Sequence, residues 1–380
     1  MGGRHSQTFF ARAAALAALF VGCSDGGPGG LDDATIAPGT VRCDGKLDER
    51  VCRIIGGVTP FVLRELSKGD VLERVTLEVS PAELRRLAAL GPKARALRIA
   101  VKKDQALDLE GLAAFTQLKA LHIYIASGSF PDMQVLAKLP DLESLSLRGG
   151  TLRGIGSVVG LRNLRKLSLG SLDDAAASEL PQLGRLVRLE EVSIRTDGLA
   201  CESAWLGELS ELRSFSISSF RCKDDFDLGA LARLPKLQTL FLQGVNLETL
   251  KPLASSPSLA DLHIESTSST RDLESLASVR SLERLSLSRR GVDLAPLASF
   301  TQLKQLKIYE QGAIGDLGTI SSLENLEQLE LGGRQEKPVT DLPFMSKLTK
   351  LKQVKVGSGF LDHASFDRLK AAYPGVITSD

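Results

Sequence analysis

One motif, Leu-x-x-Leu-x-Leu with Val, Ile or Phe as substitutes, recurs along this chain at a short period that few architectures tolerate. It reads Leu118/Leu121/Ile123, Leu142/Leu145/Leu147, Leu164/Leu167/Leu169, Leu189/Val192/Ile194, Leu212/Phe215/Ile217 and Leu237/Leu240/Leu242. It continues as Leu259/Leu262/Ile264, Leu282/Leu285/Leu287, Leu303/Leu306/Ile308, Leu326/Leu329/Leu331 and Leu351/Val354/Val356. Two degenerate copies, Leu72/Val75/Leu77 and Ala94/Leu97/Ile99, come first, and the middle residues of successive copies lie 21 to 25 apart. A unit that short cannot bury its apolar stripe alone, whereas stacked neighbours bury a continuous core. With about six aliphatic side chains per unit at ~1.5–3 kcal/mol each, burial is large before chain entropy opposes it.

Each unit has two halves. The closing Leu-x-Leu has the two-residue period of a short strand. Upstream, apolar residues fall three apart, as in Leu273, Leu276, Val279, Leu282 and in Leu294, Leu297, Phe300, Leu303. That spacing suits a 3₁₀ return better than a long α-helix. The expected fold class is therefore α/β: a curved horseshoe solenoid of about thirteen turns, with a parallel concave sheet and a mostly 3₁₀ convex side. Aromatic residues are 5% of the chain, so the core must be aliphatic. Open ends need covers. Ser80-Pro81-Ala82-Glu83 reads as a capping box that starts a helix over Ala82 to Leu90. His363 to Ala372 reads as an amphipathic helix stopped by Tyr373-Pro374-Gly375, with Val376 and Ile377 free to add a last strand.

The N-terminus is read as a targeting segment. Arg4 and Arg12 precede an apolar run, Ala13 to Val21, that is too short to span a bilayer as a helix. Leu19-Phe20-Val21-Gly22-Cys23 resembles a bacterial lipobox, which implies lipidation of Cys23; the alternative is an ordinary secretory signal with an incidental cysteine. The stretch from Ser24 to about Thr40 is small and polar, the composition of a tether. The expected divisions are a lipoprotein signal peptide (1–22), a flexible tether (23–42), an N-terminal cap (43–70), the repeats (71–357) and a C-terminal cap (358–380).

An exported chain meets an oxidising compartment, and four further cysteines are present. The most economical disulfides are Cys43–Cys52 and Cys201–Cys222, with separate thiols as the alternative. Their spacing is not zinc-like, so no metal or cofactor is expected. The 47 Lys+Arg against 46 Asp+Glu give a net charge of +1, and loss of Arg4 and Arg12 would make it −1. Neither balance suits a nucleic-acid partner.

The phase of the repeats, with segments such as Asp293-Leu294-Ala295-Pro296-Leu297-Ala298, resembles the bacterial leucine-rich-repeat proteins of the internalin-like short-repeat class. The resemblance covers roughly residues 71–377 and implies a scaffold that binds macromolecules. It departs from the family at one place. The asparagine usually found three residues after the last strand leucine is replaced by Ala126, Gly150, Leu172, Asp197, Phe220, Val245, Thr267, Arg290, Gln311, Arg334 and Gly359.

Residues between the inward leucines face outward. One such column holds Thr76, Arg98, His122, four serines, Phe241, His263, Ser286, Lys307, Glu330 and Lys355; the next includes Tyr124, Arg148, Arg195, Gln243, Glu265 and Tyr309. Aromatic and arginine side chains carry interface energy disproportionately, so Tyr124, Arg148, Arg195, Phe241, His263 and Tyr309 are the candidate binding residues. Catalysis finds little support. His122 and His263 stand some six repeats apart, no nucleophile elbow or phosphate loop occurs, and His263 beside Glu265 suits binding better than an acid–base pair. The expected function is a lipid-anchored envelope protein that binds a protein ligand through its strands; carbohydrate binding and a structural spacer are the alternatives.

Overall fold

The computed structural model describes residues 40–44, 51–55, 76–101, 107–131, 133–196, 202–219, 225–265, 272–288, 293–310, 314–333, 335 and 337–379. The chain divides into two compact units, Met1–Ser171 and Leu172–Asp380.

The first unit opens with an antiparallel hairpin, β1 (Thr40–Asp44) and β2 (Val51–Ile55), whose register sets Cys43 opposite Cys52. Strand β2 then pairs in parallel with β3 (Thr76–Val79), followed by β4 (Ala96–Val101), β5 (Ala120–Ser129), β6 (Ser144–Thr151) and β7 (Lys166–Leu172). The second unit holds β8 (Glu191–Thr196), β9 (Ser214–Ser219), β10 (Thr239–Gln243), β11 (Asp261–Glu265), β12 (Arg284–Ser288), β13 (Gln305–Tyr309), β14 (Gln328–Gly332), β15 (Gln353–Val356) and β16 (Ile377–Ser379). Each pairs in parallel with the next. Thus β3 to β15 are thirteen turns of a leucine-rich-repeat solenoid fold.

The register follows the leucines. Leu121 lies beside Leu145 and Leu145 beside Leu167; in the second unit Leu240, Leu262, Leu285, Leu306 and Leu329 form one row. These side chains are at most 2% exposed, and the three-residue apolar rows of the returns are buried with them. The returns are mostly 3₁₀, as at Leu273–Ser278 and Ala295–Ser299, because three residues per turn bring every third side chain to the same face.

Three departures from the sequence reading have physical causes. Leu77 pairs with Leu97 and Glu78 with Arg98, so Glu78 rather than Thr76 takes the outward register position of β3. The first turn is thus twenty residues long, shorter than the period used to place it. The helix placed over Ala82 to Leu90 is one α-turn, Pro81–Leu84, continued as a 3₁₀ segment, Arg86–Lys93. Glu83 does cap it, accepting from Ser80 N at 2.9 Å, but Leu84 and Leu87 are both fully buried and hold the segment to three-residue spacing.

The third departure concerns how turns are tied together. Residues immediately before the first leucine donate side-chain hydrogen bonds to backbone carbonyls one turn back. These are Asn163 to Pro140 O (3.0 Å), Ser258 to Pro235 O (3.0 Å), Ser281 to Leu259 O (2.7 Å), Gln302 to Val279 O (3.3 Å) and Asn325 to Thr301 O (2.8 Å). The polar ladder that the family places after the strand here stands before it. One residue past that leucine, charges of opposite sign stack between turns, as Lys119–Glu143 (2.8 Å), Lys304–Glu283 (2.6 Å) and Lys352–Glu327 (2.6 Å). These pairs are exposed and contribute alignment more than stability. Backbone bonds reinforce them: Lys119 O accepts from Glu143 N at 2.8 Å and from Ser144 N at 2.9 Å.

At the C-terminal end, the helix His363–Ala372 is capped by Asp362, which accepts from Ser365 N at 2.8 Å. Gly375 takes a positive φ of 78°, and Ile377, 1% exposed, pairs beside Val354.

Candidate binding face

Strand alternation sends the residues between the buried leucines to the opposite face of each sheet. In the first unit Tyr124 is 54% exposed and stands beside Arg148 in the register. Arg148 is pinned by Ser168, whose hydroxyl accepts from Nε at 3.1 Å and from Nη2 at 3.0 Å. His122 is half-buried. Burial first, then the charges of Arg98 and Arg148, push its pKa below the ordinary imidazole value.

In the second unit the rings of Phe241 and His263 meet at 5.8 Å, tilted by 39°. His263 does not work with Glu265, as sequence proximity suggested; its Nε2 lies 2.8 Å from Asp261 Oδ1. The other oxygen of Asp261 accepts from Arg284 Nε at 2.8 Å. Burial pushes the Asp261 carboxyl up, but the hydrogen bonds from His263 and Arg284 and their charges outweigh it and hold the group below the usual carboxylate range. Two strands further on, Lys307 pairs with Glu330 at 2.8 Å. A groove of about 320 Å³ runs over this face, lined among others by Asp261, His263, Arg284, Ser286, Lys307 and Glu330.

Tyr309 is 38% exposed, and its ring lies against Gly332 on the next strand, where any Cβ would collide with it. Glycine therefore gives the ring a flat seat, and the phenol is held for contact at low entropic cost.

Of the six candidate residues, the fold brings together Tyr124 with Arg148 and Phe241 with His263. It seats Tyr309 against Gly332 and leaves Arg195 exposed on β8 beside Ser218. Cys23, Cys201 and Cys222 lie outside the described residues. Trp205 is 6% exposed and donates to Glu202 O at 3.0 Å, a packing role. Among the described residues no group of three or more metal-ligating side chains gathers, and no helix is long and apolar enough to cross a membrane.

Sequence reasoning missed a third outward column, the residue immediately before each middle leucine. It contains Asp261, Arg284, Gln305, Gln328 and Gln353, all of which line the groove. Two-residue alternation counted backwards from the leucine was signal enough to find it.

Comparison with solved structures gives the same fold. A leucine-rich-repeat protein of Leptospira interrogans superposes with a TM-score of 0.55 at 16% identity, covering 85% of this chain and 92% of its own. An internalin of Listeria monocytogenes is similar at 19% identity and a TM-score of 0.43, covering 76% of this chain and 91% of that one. No protein-family model and no curated protein matches the sequence. At such identities the Leptospira likeness shows a leucine-rich-repeat fold and nothing finer.

Proposed function

We propose that this chain is an exported, lipid-anchored protein that binds a protein partner through the outward face of its strands. One observation carries the binding part. Among the described residues three large hydrophobic side chains are exposed, Val187 in the turn before β8 and Tyr124 and Tyr309 on that face, where Tyr309 is seated against Gly332. Aromatic and arginine side chains are enriched among the anchors of protein interfaces, and Tyr124 has Arg148 beside it. The export part rests on the sequence before Cys23 and on the paired register of Cys43 and Cys52, which suits a disulfide in an oxidising compartment.

Phe241→Ala/Tyr309→Ala is expected to weaken partner affinity about tenfold or more, read by titration against the protein that co-purifies from envelope extract. Unchanged affinity would remove this face from the interface. Recovery of polysaccharide and no protein would favour a carbohydrate ligand, for which the amides of Gln305, Gln328 and Gln353 are suited. Cys23→Ala is expected to shift the protein from the membrane to the soluble exported fraction; unchanged partition refutes lipid anchoring.

A further inference from the structure

The first unit places two exposed arginines, Arg98 and Arg148, on its outward face. Arg98 on β4 neighbours His122 on β5, and Arg148 follows on β6, two residues further along its strand. At about 4.8 Å per strand, these groups span roughly 10 Å. Arg98 is exposed on β4, with Glu78 at the neighbouring register position. Arg148 spends two N–H groups on a neutral hydroxyl, which orients the guanidinium and leaves its charge uncompensated. Between them, on β5, stand His122 and Tyr124, and the small Ser146 lies beside His122 on β6. Among the described residues of this face, Lys166 on β7 is a further charged group and makes a contact of its own.

We propose that the β4–β6 face is a subsite for an acidic peptide segment of the partner, with Arg98 and Arg148 each receiving a carboxylate and Tyr124 covering the chain between them. This rests on the reading of the strand face as a partner-binding surface and supplies the chemistry of that partner. A preoriented arginine fork takes a carboxylate in two parallel hydrogen bonds, and an extended peptide spaces its side chains on the scale of neighbouring strands. The patch is too small for the alternatives. Anionic lipid recognition uses clusters of about four to eight basic residues, and nucleic-acid binders neutralise on the order of six to ten phosphates. His122 couples to the same event. An acidic ligand would oppose the arginine charges that, after burial, lower its pKa, so the imidazole should hold its proton to higher pH in the complex.

The test is fluorescence polarisation of a labelled hexaglutamate peptide with the purified full chain, with hexaglutamine as control. Tighter binding of hexaglutamate, weakened at least tenfold in Arg98→Gln/Arg148→Gln and by added salt, is expected. The His122 imidazole should show a higher pKa by NMR in the peptide complex. Both arginines are exposed, and a variant with an unchanged melting curve isolates the charge effect. Equal binding of the two peptides, insensitivity to the arginine substitutions, or capture of phosphatidylglycerol vesicles in preference to the peptide would overturn the subsite. Because Arg98 and Arg148 are distant in sequence from Phe241 and Tyr309, the two readings can fail separately. A bound peptide with partner affinity unmoved by Phe241→Ala/Tyr309→Ala sinks only the second unit's role. A partner lost in that variant, with no peptide binding, sinks only this subsite.

Discussion

Replacing Phe300 with alanine is expected to lower the unfolding free energy of the second unit by about 3–5 kcal/mol, the usual cost of emptying a phenylalanine site in a close-packed core. Phe300 is fully buried and closes the 3₁₀ return Ala295–Ser299, with its N–H on Leu297 O at 3.0 Å and its own carbonyl accepting from Leu303 N at 3.0 Å. The same place is held by Val279 in the turn before and Leu323 in the turn after, both buried. Each solenoid turn contacts only its neighbours, so a cavity there weakens two interfaces at once. Urea titration followed by circular dichroism measures the loss. A change below about 1 kcal/mol would mean that the return is not packed as described, since conservative trimming alone costs about that much.

The second large effect is expected at two glycines in equivalent turns, Gly149 within β6 and Gly333 just after β14. Gly149 lies two residues after Leu147 with φ 86°, and Gly333 two residues after Leu331 with φ 93°. A Cβ at Gly149 would collide with the carbonyl oxygen of Ile125, and one at Gly333 with that of Glu310, each in the preceding turn. Valine would meet both penalties: ~1–2 kcal/mol for the left-handed backbone and ~1–3 kcal/mol for the overpacking. Gly149→Val and Gly333→Val should therefore each destabilise by about 2–5 kcal/mol, read as a lowered denaturation midpoint. Gly359→Val is the control: it shares the backbone penalty at φ 83° but has nothing within 4 Å of its Cβ, so its cost should be visibly smaller. Equal losses at all three positions would remove close approach between turns as the cause.

Near Gly333, a side chain does locally what an asparagine ladder does elsewhere. Gln335, 6% exposed, donates to Glu310 O at 3.0 Å and accepts from Ile314 N at 3.0 Å, binding the loop of the preceding turn from both sides. Nothing in a single-residue column announces it, because the glutamine lies two places past the glycine and recurs in no other turn.

The repeat itself was legible because burial imposes one period on every turn. Leu121, Leu145 and Leu167 stack in register for the same reason that they are spaced as they are in sequence. The first turn was misplaced because a uniform period was applied where the chain takes a shorter path, and Glu78 was displaced in favour of Thr76. Identifying outward columns was a matter of parity. Parity alone cannot say which neighbour a side chain will meet. His263 has Asp261 and Glu265 on the same face, two residues away on either side. Its choice of Asp261 goes with Arg284 on the adjacent strand, which holds that carboxylate ionised and in place. Cross-strand partners decide such contacts, and they come from residues about twenty positions away. The turn-to-turn ladder was missed for a different reason. Any of Asn, Ser or Gln can donate to a carbonyl, so the column preserves a chemical ability rather than a residue type.

The most direct test of the binding claim compares two photo-crosslinking side chains in the same turn. One replaces Ser286 on the outward strand face, and the other replaces Glu274, exposed on the 3₁₀ return. Irradiation in the envelope, followed by mass spectrometry, reads what each position touches. A protein adduct from position 286 that is absent from position 274 is the predicted result. Adducts from position 274 with none from position 286 would place the interface on the returns and contradict the account.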